Sequence, residues 1–169
     1  AEPVTLVETF TGRIEAPETV ALRPRVSGYI DQVAFEEGEL VEAGDLLFQI
    51  DPRPYEARSR AARAELEQAR SQLQLAEGEA GRAQRLLESR AISQEEYDQR
   101  RAALLNARAS VQQAQASLQS AELNLRYTRV TAPVAGRAGR ALVTKGNLAS
   151  ADQTLLTTLV SVDPLHVYF

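Results

Sequence analysis

The 169-residue chain has no cysteine, methionine or tryptophan, one histidine, one lysine and 5 % aromatic residues. Without cysteine there is neither a disulfide nor a thiol nucleophile. This fits an oxidising compartment without requiring one. With one histidine, His166, no nucleophile, base and orienting acid can be assembled, and no Gly-x-Ser-x-Gly or phosphate-loop pattern is present. The expectation is a protein that is not an enzyme and holds no cofactor. His166 lacks cysteine and methionine companions, so it makes a poor metal site and reads as structural. Missing thioethers also argue against soft-metal export. A net charge of -4 excludes a general nucleic-acid binder, because phosphate neutralisation needs a basic face. No run approaches 18 apolar residues, so no membrane-spanning helix is expected. Of the 19 basic residues only Lys145 is lysine, a preference that a compositional habit of the source genome explains.

Proline is absent from Tyr55 to Thr131, and there two heptad ladders stand out. In the first arm Ser59, Leu66, Leu73, Ala80 and Leu87 recur every seven residues, each of the first four followed three positions later by Ala62, Ala69, Ala76 and Ala83. In the second, Tyr97, Leu104, Val111, Leu118 and Leu125 keep the period, accompanied by Ala107, Ala114 and Ala121. These are the a and d positions of a coiled coil, and alanine at d lets two backbones approach closely. The segment Glu88–Ser93 is too short for a parallel return, so the arms, about 53–89 and 93–126, must fold back as a hairpin. Arms of that length reach roughly 50 Å. Ser93, followed by Gln94, Glu95 and Glu96, reads as an N-cap with acidic residues where the helix dipole favours them.

On either side of the hairpin lie two similar segments. Val20–Asp51 reads as short strands broken at Gly28, Gly38 and Gly44, and Val130–Val162 as strands broken at Gly136 and Gly146. Gly28 and Gly38 have the spacing of Gly136 and Gly146, and each copy closes on Asp-Pro, at Asp51-Pro52 and Asp163-Pro164. Glycines at matched turns are what a positive φ requires. Two half-motifs, 20–52 and 127–164, building one flattened β-sandwich around the hairpin at 53–126 is the economical reading, an α+β fold.

Val26-Ser-Gly-Tyr-Ile30, Glu37-Gly-Glu-Leu-Val-Glu-Ala-Gly-Asp-Leu-Leu-Phe-Gln-Ile-Asp-Pro52 and Asn124-Leu-Arg-Tyr-Thr-Arg-Val-Thr-Ala-Pro-Val-Ala-Gly-Arg137 occur in that order. In these motifs, and in hairpin length, the chain resembles the periplasmic adaptors, or membrane fusion proteins, of tripartite efflux pumps. It is most similar to those of resistance-nodulation-division (RND) drug exporters. The resemblance implies that the sandwich is a lipoyl-like domain, and that 1–19 and 165–169 are strands leading out of and into a β-barrel and membrane-proximal part. The chain is then a fragment of a protein anchored to the inner membrane by a lipid or N-terminal segment absent from it. Implied partners are an inner-membrane RND transporter and a TolC-type outer-membrane channel, with copies of the adaptor in a ring, a hexamer in the assembled pump.

A lipoyl-like sandwich also raises biotinyl or lipoyl carriage, which needs a lysine at the tip of a hairpin between the halves. The helical insertion occupies that position, and Lys145, in Thr144-Lys-Gly-Asn147, lacks the carrier context. At the helical tip the heptad register leaves Leu86 over. Leu87 already fills an a position, so Leu86 falls on the flank at g, and Arg82 lies one turn earlier at c. Arg82, Leu86 and Ser93 match the Arg-x3-Leu-x6-Ser pattern that the adaptor family places at its channel contact. The leucine would be the anchor, the arginine a directional donor, and the serine both cap and contact. The alternative is that Leu86 only widens the seam and Ser93 only caps. Gly78 and Gly81, off the seam at f and b, either thin the rod for a neighbouring helix or are drift in a helix held by its seam. An adaptor of an ATP-driven exporter and a plain coiled-coil spacer remain open at this point.

Overall fold

A computed structural model describes Arg13–Glu15, residues 19–161 and His166–Tyr168. Its strands are β1 (Arg13–Glu15), β2 (Thr19–Leu22), β3 (Gly28–Val33), β4 (Leu40–Val41), β5 (Leu46–Ile50), β6 (Arg129–Thr131), β7 (Gly136–Ala138), β8 (Leu148–Ala149), β9 (Thr157–Val160) and β10 (His166–Tyr168). Two helices, α1 (Arg53–Glu88) and α2 (Gln94–Tyr127), lie between β5 and β6. The fold is α+β and divides into two compact units, with Pro52–Tyr127 forming the helical one.

In the β unit, one sheet runs β2-β9-β7-β4 and the other β6-β5-β3-β8, each mixing strands from before and after the helices. Neither flanking segment can complete a sheet alone. The core between the sheets holds Ile30, Val41, Leu47, Phe48, Ile50, Val130, Leu156 and Leu159. Phe35 packs edge-on against Phe48, ring centroids 5.3 Å apart. Leu47 and Phe48 are consecutive yet both fully buried, which strict strand alternation forbids. A register shift resolves this: Leu46 faces Thr131 and Phe48 faces Val130, so Leu47 is the extra residue of a bulge.

The matched glycines serve two different needs. Gly38 and Gly146 have φ of +83° and +89°, the turn conformation expected of them. Gly28 and Gly136 are not turn residues. Each opens a strand, β3 and β7, and a Cβ there would stand 2.6 Å from Ile50 Cγ2 and 2.5 Å from the Val160 carbonyl oxygen respectively. They are glycines for space, not for backbone angle, and the duplication holds at the level of cause.

Strands β5 and β6 are antiparallel neighbours, Gln49 facing Arg129. At their open end the Ile50 N–H donates to the Thr128 carbonyl at 2.8 Å, and Gln49 Nε2 donates to the carbonyls of Ile50 and Thr128 at 2.7 and 3.2 Å. Thr128 itself is buried. The helical insertion thus leaves and re-enters the chain where a tight turn would otherwise join two paired strands.

Of the strands expected at 1–19 and 165–169, β1 and β10 pair antiparallel, Ile14 opposite Val167. The remainder of that expectation, the Asp163-Pro164 close of the second half and the reading of the His166 side chain lie outside the described residues.

Candidate functional site at the hairpin tip

Within the helical unit the a and d residues face inward. Ser59, Ala62, Leu66, Ala69 and Ala83 of α1 are buried, and Leu73, Ala76, Ala80 and Leu87 half-buried. On α2, Tyr97, Leu104, Ala107, Val111, Ala114, Leu118, Ala121 and Leu125 are half-buried and none is fully covered. A two-helix seam covers each helix from one side only, so most seam side chains, large or small, keep an open edge.

Ion pairs fix the antiparallel register from one flank. Arg63 Nη2 lies 3.0 Å from Glu122 Oε1 and Arg108 Nη2 3.9 Å from Glu77 Oε1, all four residues at e positions. These exposed pairs are worth at most about 1 kcal/mol each and contribute alignment more than stability.

The turn is built around Leu86. Helix α1 stops because Arg90 takes φ +60°, and the Arg90 and Ala91 N–H groups then donate back to the carbonyls of Leu87 and Leu86 at 2.9 and 2.7 Å. This is a Schellman closure made with arginine where glycine is usual. Ser89 Oγ also donates to the Leu86 carbonyl, at 3.0 Å. Helix α2 opens on Ser93, whose Oγ accepts the Glu96 N–H at 3.1 Å as an N-cap. The Leu86 backbone is therefore pinned from the turn side, while its side chain is 44 % exposed.

On the g flank Arg82 and Leu86 share a shallow groove of about 270 Å³ with Glu79, Ala83, Ile92, Glu96 and Arg100. Ser93 caps α2 outside that lining. Three residues here belong to no motif of the sequence: Glu79, Ile92 and above all Arg100. The alanine ladder of α2, followed one heptad back from Ala107, arrives at Arg100, which bonds Glu79 Oε2 across the hairpin at 3.1 Å and lies 4.0 Å from Glu96 Oε1. That break in the ladder was the available signal. The groove thus combines an exposed apolar side chain with two guanidinium and two carboxylate groups.

Elsewhere, Lys145 sits on an exposed turn 4.0 Å from Asp31. Among the described residues no helix is long and apolar enough to cross a membrane, and no group of three His, Cys, Asp or Glu could hold a metal ion.

Residues 18–161 match the family model described as "RND MFP, barrel-sandwich hybrid domain". The chain is 40 % identical over 167 residues to the multidrug efflux pump subunit AcrA of Escherichia coli K12, covering 98 % of this chain and 42 % of that protein. It is 42 % identical over 164 residues to the antibiotic efflux pump periplasmic linker protein ArpA of Pseudomonas putida, covering 96 % and 40 %. It spans about two-fifths of the length of these curated relatives. Among solved structures it is similar to a MacA-MexA chimeric protein containing the Pseudomonas aeruginosa MexA α-hairpin domain, with TM-score 0.67 and 30 % identity over 92 % of this chain and 52 % of that one. The membrane fusion protein Spr0693 of Streptococcus pneumoniae R6, at 20 % identity, shares the fold with TM-score 0.71, over 92 % of this chain and 67 % of its own.

Proposed function

Since the chain belongs to the RND membrane fusion protein family through its barrel-sandwich hybrid domain, we propose that it is the hairpin and lipoyl-like part of a periplasmic, non-catalytic adaptor in a drug-exporting pump. The adaptor joins an inner-membrane RND transporter to a TolC-type outer-membrane channel, and an inner-membrane anchor lies in the rest of the protein. Copies stand in a ring, six in the assembled pump. The transporter supplies the energy and the adaptor supplies geometry.

The observation that carries this reading is the tip itself. Leu86 is an exposed leucine on a helix whose seam needs no contribution from it, beside the guanidinium of Arg82, with its backbone locked by the turn. A buried apolar anchor flanked by a directional arginine is the usual energetic centre of a protein interface. Ser93 fixes where α2 begins and adds a polar contact at the same end. The lysine-bearing turn at Lys145 lies on the β unit and offers no alternative tip chemistry.

The test is a photo-crosslinker at Ser89 in the full-length protein, with the captured protein identified and drug efflux measured alongside. Capture of the outer-membrane channel is expected, and Leu86→Asp should abolish both capture and efflux while leaving the protein folded. Wild-type capture and efflux in Leu86→Asp would refute the tip contact.

A further inference from the structure

We infer that Arg100 is a positioning residue for Arg82: by holding the Glu79 carboxylate across the hairpin, it leaves the Arg82 guanidinium unpaired for an oxygen acceptor on the docking partner. The inference rests on the proposed tip docking and names the chemistry that the partner must present there, a carbonyl or carboxylate beside an apolar cleft for Leu86.

Glu79 and Arg82 lie three residues apart on one face of α1, the spacing at which opposite charges on a helix normally pair. They do not pair here. Glu79 Oε2 is 3.1 Å from Arg100 Nη1, and Arg100 Nη2 is 4.0 Å from Glu96 Oε1, so one arginine of α2 engages both carboxylates of the groove. The Arg82 side chain makes no hydrogen bond or ion pair among the described residues. Its guanidinium lies back along its own helix over Gly78, where a Cβ would stand 3.5 Å from Nη1. The groove holds two positive and two negative side chains. With Arg100 removed, both carboxylates are left to a single guanidinium, and a partner oxygen must displace an internal ion pair before it can bond Arg82.

Simple bracing of the hairpin predicts different genetics. As a brace, Glu79 and Arg100 are equal halves of one bond, and losing either is equally harmful. As a sequestering pair they are unequal, because a freed Glu79 competes for Arg82 while a freed Arg100 does not. The full-length protein should therefore be compared, by affinity for a purified TolC-type channel, as wild type, Arg100→Ala, Glu79→Gln and the double variant. Arg100→Ala should weaken binding by about 1.5- to 2-fold, the scale of an i,i+3 pair on a helix. Glu79→Gln should weaken it less than Arg100→Ala does, and Arg100→Ala/Glu79→Gln should recover binding to the level of Glu79→Gln. A double variant as weak as Arg100→Ala, or Glu79→Gln as weak as Arg100→Ala, overturns the inference.

A measurement without the channel separates this from the docking itself. The Arg82 Nε–Hε resonance, assigned by its loss in Arg82→Lys, should move in Arg100→Ala and return in the double variant. If it does so while Arg82→Ala binds the channel normally, the docking reading fails and the charge arrangement stands. If it does not move in Arg100→Ala, the inference fails whatever the channel does.

Discussion

The carbonyl oxygen of Leu86 accepts the N–H of Ala91 at 2.7 Å, so the residue that exposes a large apolar side chain at the tip also takes part through its backbone in closing the first helix. The apolar side chain is held at a fixed height relative to the turn by main-chain bonds that no docking event needs to make. Preorganisation of this kind lowers the entropic cost of binding.

The same closure depends on Arg90 at φ +60°, a conformation that costs a non-glycine residue about 1 kcal/mol. Arg90→Gly should therefore raise stability by about 0.5–1 kcal/mol. Helical ellipticity followed through urea unfolding checks this, and a loss of stability would mean that the Arg90 side chain contributes something its geometry does not display.

Ser93→Ala should cost about 1 kcal/mol, since the Glu96 N–H loses the hydroxyl that satisfies it. Ser93→Asp, which keeps an acceptor at the N-cap, should recover most of that loss in the same unfolding measurement. Equal instability of the two variants would exclude capping as the serine's structural role.

Seam and flank leucines should behave oppositely on truncation. Leu66, 4 % exposed, should cost about 2–5 kcal/mol as Leu66→Ala. Leu75→Ala, at 62 % exposed, should stay within about 0.5 kcal/mol of wild type, and Leu86→Ala, at 44 % exposed, should cost about 1 kcal/mol. Thermal unfolding of the three variants side by side reads the contrast directly.

The two space-demanding glycines should also differ. Gly136→Ala drives a Cβ into the Val160 main chain, 2.5 Å from its oxygen and 3.0 Å from its carbon, and should cost several kcal/mol or prevent folding. Gly28→Ala meets only the Ile50 Cγ2 methyl, which a small side-chain shift can relieve, so a milder loss of about 1–3 kcal/mol is expected. Soluble yield and thermal midpoint rank the pair.

What could be read from the sequence followed from how many residues repeat a signal. The heptad ladder speaks through some seventeen positions, so the helices and their inward faces were legible, down to which leucine the seam leaves over. Matched glycine spacing announced two related halves. It could not say that Gly38 and Gly146 answer a backbone angle while Gly28 and Gly136 answer a close approach, because glycine satisfies both demands with the same absence. The bulge at Leu47 left no mark, since Leu46-Leu-Phe48 is apolar in any register. The heptad register leaves Leu86 over, and the resemblance to the adaptor family adds Arg82 and Ser93; Arg82 and Leu86 line one groove and Ser93 does not. Arg100 was invisible for a different reason: its meaning lies in a partner 21 residues away across a turn, and only the folded register brings Glu79 to it.

The pairing of β5 with β6 across the whole helical insertion makes hairpin length a free variable. Seven residues removed from each arm at facing heptads would bring the tip about 10 Å closer to its base and return every remaining seam residue to its old partner. Seven removed from one arm alone would slide Arg100 past Glu79 and strand the lock. Reach is thus adjustable only in matched steps, and the register in which β5 pairs with β6 need not change when it is.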